Sequence, residues 1–167
     1  MISKTYIVVN SYQPNTAPTN RLLSILKGFS ELETKVEVVF LEPDSNYSKV
    51  TENLPNIYFN YMWDRLRIKN KYIEKLFGFY WGWKFSSSLK TGDKVILLTA
   101  GRVFFNLINR KDIKLYHERT EHPDIYTIKG FDVKKYKAHI KDLDGMFVIS
   151  TALKEYFSSL GLPKELR

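Results

Sequence analysis

The run Lys94–Thr99, KVILLT, constrains this chain more than any other stretch. It shows no alternation of apolar and polar residues. A strand with one face in water must alternate, so this run is buried on both faces, as strands of a parallel sheet covered by helices are. Lys4–Asn10 (KTYIVVN) and Lys35–Leu41 (KVEVVFL) are likewise rich in β-branched residues, and Asn56–Tyr61, Lys114–Glu118 and Gly145–Ser150 add three shorter runs.

Between these runs the apolar spacing becomes helical. Leu22, Leu23, Leu26 and Phe29 define a helix over about Thr19–Phe29, with Pro18 in its first turn and Thr16 or Ala17 at its cap. Asn70–Leu89 carries two rows: Tyr72, Leu76, Tyr80 and Trp83, then Ile73, Phe77, Trp81 and Phe85. Both rows are assigned to the core, with Trp81 or Trp83 as the excess. Arg102–Asn109, Val133–Leu143 and a last helix capped by Thr151 complete the set, while Ser45–Pro55 reads as an irregular connection. Strands alternating with helices specify one α/β domain over residues 1–167, a mostly parallel sheet with helices on both faces.

Composition narrows the function classes. The chain has no cysteine, which excludes disulfides and thiolate metal sites and fits a reducing, cytoplasmic setting. No apolar run is long enough to span a bilayer. A net charge of +8 points to an anionic partner: nucleic acid, anionic lipid or a phosphorylated small molecule.

Three stretches are candidates for chemistry. The loop Ser11–Asn20 runs from the first strand into a helix start. It is longer than a usual βα connection, and backbone N–H groups from Ala17 to Arg21 there would attract an anion, with Arg21 adding charge. The stretch Leu115–Tyr126, LYHERTEHPDIY, places His117, Glu118, Arg119, Thr120, Glu121, His122 and Asp124 at the C-terminal end of a strand, where open α/β sheets bind ligands. Glu118 and Arg119 read as an orienting ion pair. The segment Trp63–Lys75 holds Arg65, Arg67, Lys69, Lys71 and Lys75 beside aromatic residues, a pattern that suits nucleic acid, a membrane surface or a solvated helix. No glycine-rich dinucleotide fingerprint, P-loop, zinc spacing or serine-hydrolase elbow is present, and no metal is expected.

The order TYIVVN, SYQPNTAPTNRLLSILKGF, YHERTEHP and DGMFVISTALKEYFSSLG resembles the N-terminal domain of family 4 glycosyltransferases of GT-B architecture. The resemblance covers essentially the whole chain and implies a Rossmann-like half of a GT-B fold whose C-terminal, donor-binding domain is absent. Many members carry paired glycines in the first loop, where this chain has Asn15-Thr16-Ala17-Pro18. Their His-Asp pair, counted back from Pro123, falls nearest Thr120 and Glu121, with His122 next.

The resemblance implies an acceptor-binding domain of an enzyme moving a sugar from a nucleotide-sugar donor to a glycan or lipid-linked acceptor. Glu121 and His122 would be catalytic. Asn15, Thr16, Ala17 and Arg21 would approach the donor phosphates, and Arg102, Glu118, Arg119 and Thr120 would line the cleft. No cofactor beyond the donor is implied, and the fragment alone would be inactive. Location would be cytoplasmic, peripheral on the inner face of an anionic membrane, with nucleic acid the less favoured partner. The alternatives are a stand-alone nucleotide or phospho-ligand-binding module and a basic nucleic-acid-binding protein.

Overall fold

A computed structural model describes residues 3–65, 71–98, 100–123 and 132–161. Within those ranges the side chains of Arg65, Lys71, Tyr72, Glu74, Lys75 and Arg102 lie outside the description. The elements are β1 (Thr5–Val9), α1 (Ala17–Glu31), β2 (Val36–Phe40), β3 (Ile57–Tyr61), α2 (Lys71–Ser88), β4 (Lys94–Leu98), α3 (Gly101–Leu107), β5 (Lys114–Arg119), α4 (Val133–His139), β6 (Gly145–Val148) and α5 (Thr151–Ser159).

All five strand pairings are parallel, in the order β3-β2-β1-β4-β5-β6. This is the expected parallel α/β sheet, in the dinucleotide-fold order. The chain winds outward from β1 to β3, crosses back through α2 to β4 beside β1, and winds the other way. The reversal leaves a crevice beyond the carboxyl ends of β1 and β4.

Strand alternation divides the core in two. Ile7 and Val9 face one side, with Val36, Val38 and Phe40, under Leu22 and Leu26 of α1. Tyr6 and Val8 face the other, with Val39, Val95 and Leu97, under Trp81 and Phe85 of α2, Phe104 of α3 and Tyr136 of α4. Helices cover both faces because both sets of side chains are apolar.

The element ends follow local chemistry. Thr16 stands at the N-cap of α1 without a side-chain hydrogen bond to the helix, and Pro18 sits in its first turn. Asp132 accepts from the Lys135 amide at 2.9 Å to start α4. At α5 the cap is Ser150, one residue earlier than the sequence suggests, accepting from the Leu153 amide at 3.2 Å. The expected Val133–Leu143 helix tightens after His139 into a 3-10 turn over Ile140–Asp142, where His139 Nδ1 and Asp142 Oδ2 lie 3.0 Å apart. The connection from β2 to β3 contains no helix; Val50 and Leu54 from it pack beside α1.

One expectation about α2 is corrected. Phe77, Trp81 and Phe85 pack on the sheet side, but the described members of the other row, Leu76, Tyr80 and Trp83, do not belong to the core. Leu76 and Trp83 are 69% and 61% exposed, and Tyr80 is exposed with them. The sheet has room for one apolar row only, because α3 packs beside α2 and a single helix face meets the strands. Among the described residues no helix is long and apolar enough to cross a membrane.

Candidate functional site

A cleft of about 380 Å³ lies at the switch point. Val9 and Leu98, the last residues of β1 and β4, form its floor. Ala17, Pro18, Arg21 and Leu22 of α1 form one wall, and Glu118, Thr120 and Glu121, at and beyond the end of β5, form the other. Its volume falls in the range of small-molecule sites.

The α1 wall is fixed by its own loop. Gln13 closes it: its amide donates to Thr19 Oγ1 at 3.3 Å, and its carbonyl accepts from Thr16 Oγ1 at 2.9 Å. Thr19 is buried, and Tyr12 packs edge-on against Phe40. The extra loop length therefore goes into anchoring the start of α1. The stretch of anion-attracting amides is shorter than the sequence suggests: Pro18 has no N–H, and the Asn20 amide already donates to the Thr16 carbonyl at 2.9 Å. Ala17 and Thr19 supply the first-turn amides that lack an intrahelical acceptor by helix geometry. Arg21 stands one turn above Ala17 on the same side.

On the opposite wall Glu118 is buried and ion-paired, through Oε1, with Arg21 Nε. Burial pushes the Glu118 carboxyl above its ordinary 4.5, while the Arg21 charge and hydrogen bond pull it back only in part. The expected Glu118–Arg119 pair does not form. Neighbouring residues of a strand point to opposite faces, so Arg119 lies on the other side of the sheet. There it is buried, its guanidinium 5.5 Å from the Tyr136 ring centroid, and its Nη2 donates to the Glu121 carbonyl at 3.4 Å.

His117 shares that opposite face, fully buried beside Phe104, with Nδ1 and the Tyr136 hydroxyl 3.0 Å apart. Burial, and then the nearby Arg119 charge, push its pKa down to about 3, so the ring is neutral. It is a core residue. His122 leaves the cleft as well: its ring lies 3.9 Å, centroid to centroid, from Tyr156 of α5. Glu121 and Thr120 stay exposed and face the cleft.

Of the residues singled out from sequence, Ala17, Arg21, Glu118, Thr120 and Glu121 thus meet at one site. Asn15, at φ 61°, and Thr16 shape the turn before it. Arg102 falls in the first turn of α3, its side chain outside the description, and Asp124 lies outside the described residues. Ser11, the first residue of the candidate loop, lines the cleft too, as does Ile149, which the sequence offers only as a strand residue. Ile149 reaches it only because β6 lies next to β5, which sequence does not reveal.

A second cleft, of about 440 Å³, lies on the α2 side of the sheet, lined by Lys4, Tyr6, Glu37, Asn60 and Asp93 among others. Several of its polar groups are engaged with each other. Asp93 accepts from the Lys4 and Lys90 amides at 3.0 and 2.8 Å, and Asn60 donates to Glu37 at 2.9 Å. The Tyr6 hydroxyl, pushed up to about 12 by burial and by Asp93 and Glu37, stays protonated. Although larger, this cleft lies towards the amino ends of β1, β2 and β4 and not at the switch point, and the smaller one is the better candidate.

No family model matches the chain, and no curated protein matches it. Among solved structures it is similar to the phenylacrylic acid decarboxylase of Aquifex aeolicus, at 12% identity and a TM-score of 0.37, covering 99% of this chain and 100% of that one. That protein is a decarboxylase, not a glycosyltransferase, and its chemistry is its own. With no family model and no curated protein matching, the glycosyltransferase resemblance is withdrawn, with the GT-B half-fold, the sugar donor and acceptor, and the reason for naming Glu121 and His122 catalytic. It rested on the order of βα units, which unrelated parallel-sheet proteins share. What the findings establish is the architecture: a single α/β domain with a six-stranded, all-parallel, Rossmann-like sheet.

Proposed function

We propose that this protein binds a phosphorylated small molecule of the nucleotide class in the switch-point cleft. The observation that carries the reading is the cleft's polarity. One wall offers the first-turn amides of α1 and the Arg21 guanidinium; the other offers the acceptor oxygens of Glu121, Glu118 and Thr120. A phosphate suits the first wall, and sugar hydroxyls or a base amine suit the second. The net charge of +8 favours approach of an anion.

Arg21 is engaged by Glu118 before a ligand arrives. A phosphate that takes over the guanidinium leaves Glu118 buried without its partner, so the carboxylate gains a proton as the anion binds. Binding is therefore proton-linked, tighter at lower pH. Peripheral attachment to the inner face of a membrane, expected from the sequence, rests on the outer face of α2 and not on this cleft.

The test is calorimetric titration with a nucleoside, its monophosphate and diphosphate, a sugar phosphate and inorganic phosphate. Phosphorylated compounds should bind and the bare nucleoside should not, and Arg21→Gln should weaken binding at least tenfold. Equal affinity for nucleoside and nucleotide, or an Arg21→Gln protein that binds as well as the parent, overturns the reading.

A further inference from the structure

We propose that the outer face of α2 docks this protein onto an anionic lipid surface. The helix is apolar on both sides. Its inner row, Phe77, Trp81 and Phe85, is consumed by the core, while Leu76, Phe79 and Trp83 are 69%, 61% and 61% exposed, flanked by Ile73 and Tyr80. These positions recur at three- and four-residue spacing, so they form one continuous stripe along the helix rather than scattered surface residues. Trp and Tyr suit the boundary between water and acyl chains, because each joins an apolar ring to a polar N–H or O–H.

Charge selects the occupant. Between Arg65 and Lys84 the sequence has six cations, Arg65, Arg67, Lys69, Lys71, Lys75 and Lys84, and a single acid, Glu74. Asp64, just before them, is paired with Lys49. Lys84 lies beside the stripe, its Nζ 5.8 Å from the Tyr80 ring centroid. A second copy of the chain seated on this stripe would bring two molecules of charge +8 together in one symmetric interface. A bilayer rich in anionic lipid presents the opposite charge and an apolar layer beneath it, which is what the surface is complementary to.

The experiment is sedimentation with vesicles of phosphatidylcholine alone and with graded phosphatidylglycerol, at low and high salt. Partitioning should rise with anionic content and fall at least tenfold in high salt. It should also fall at least tenfold in the triple variant Leu76→Ser, Phe79→Ser, Trp83→Ser, whose circular dichroism should match the parent; the single variant Trp83→Lys serves if the triple does not fold. Trp83 is the exposed one of the three tryptophans, Trp63 and Trp81 being 6% and 3% exposed, so a blue shift of fluorescence on anionic vesicles reports its insertion. Absence of sedimentation at low salt, or partitioning unaffected by the substitutions, overturns the proposal. So does a vesicle-free dimer in velocity sedimentation that the same substitutions abolish, which would assign the stripe to a second copy.

Discussion

Arg21 of α1 and Glu118 of β5 pair across the switch-point cleft, joining the first βα unit to the second half of the sheet. The pair forms because Glu118 is on the α1 side of its strand, whereas Arg119 points to the other side. It places the cleft's cation and its buried acid in direct contact.

Burial raises the Glu118 carboxyl above its ordinary value, so the neutral form is favoured by folding. The stability contributed by this group is therefore full below 4.5 and declines as pH rises through the raised folded value. In urea titrations the parent should lose stability relative to Glu118→Gln as pH goes from 4.5 towards neutrality. Parallel curves for the two proteins would contradict this.

His117 gives the opposite slope. Its folded pKa is about 3 against an ordinary 6.5, so the unfolded chain binds a proton that the fold excludes. Its contribution is complete above 6.5 and is lost as pH falls towards 3, at no more than ~1.4 kcal/mol per pH unit. His117→Gln should flatten that acid limb, and an unchanged limb would assign acid sensitivity to other groups.

Asp93 is a buried carboxylate holding two backbone amides, Lys4 N at 3.0 Å and Lys90 N at 2.8 Å. It ties the start of β1 to the turn between α2 and β4. Removing it leaves two donors without acceptors. Asp93→Ala should cost about 3 kcal/mol, lowering the melting temperature by roughly 10 °C, and Asp93→Asn should cost less. Calorimetry in which the two variants melt together would rule out this account.

The sequence by itself determined the architecture. Unbroken apolar runs such as KVILLT demand burial on both faces, and that demand plus helical spacing between runs leaves a parallel α/β sheet as the solution. It also determined which loops reach the carboxyl edge, since every strand-to-helix connection must end there. Ala17, Arg21, Thr120 and Glu121 were legible for that reason. What only the tertiary structure decided is which side chains face which. A shift of one position along β5 moves a residue to the other face, so Glu118 met Arg21 while Arg119 and His117 went to the α4 side. Likewise both rows of α2 are equally apolar in sequence. Which one is buried depends on how the helix is rolled against α3 and the sheet, a long-range packing choice that local periodicity does not contain.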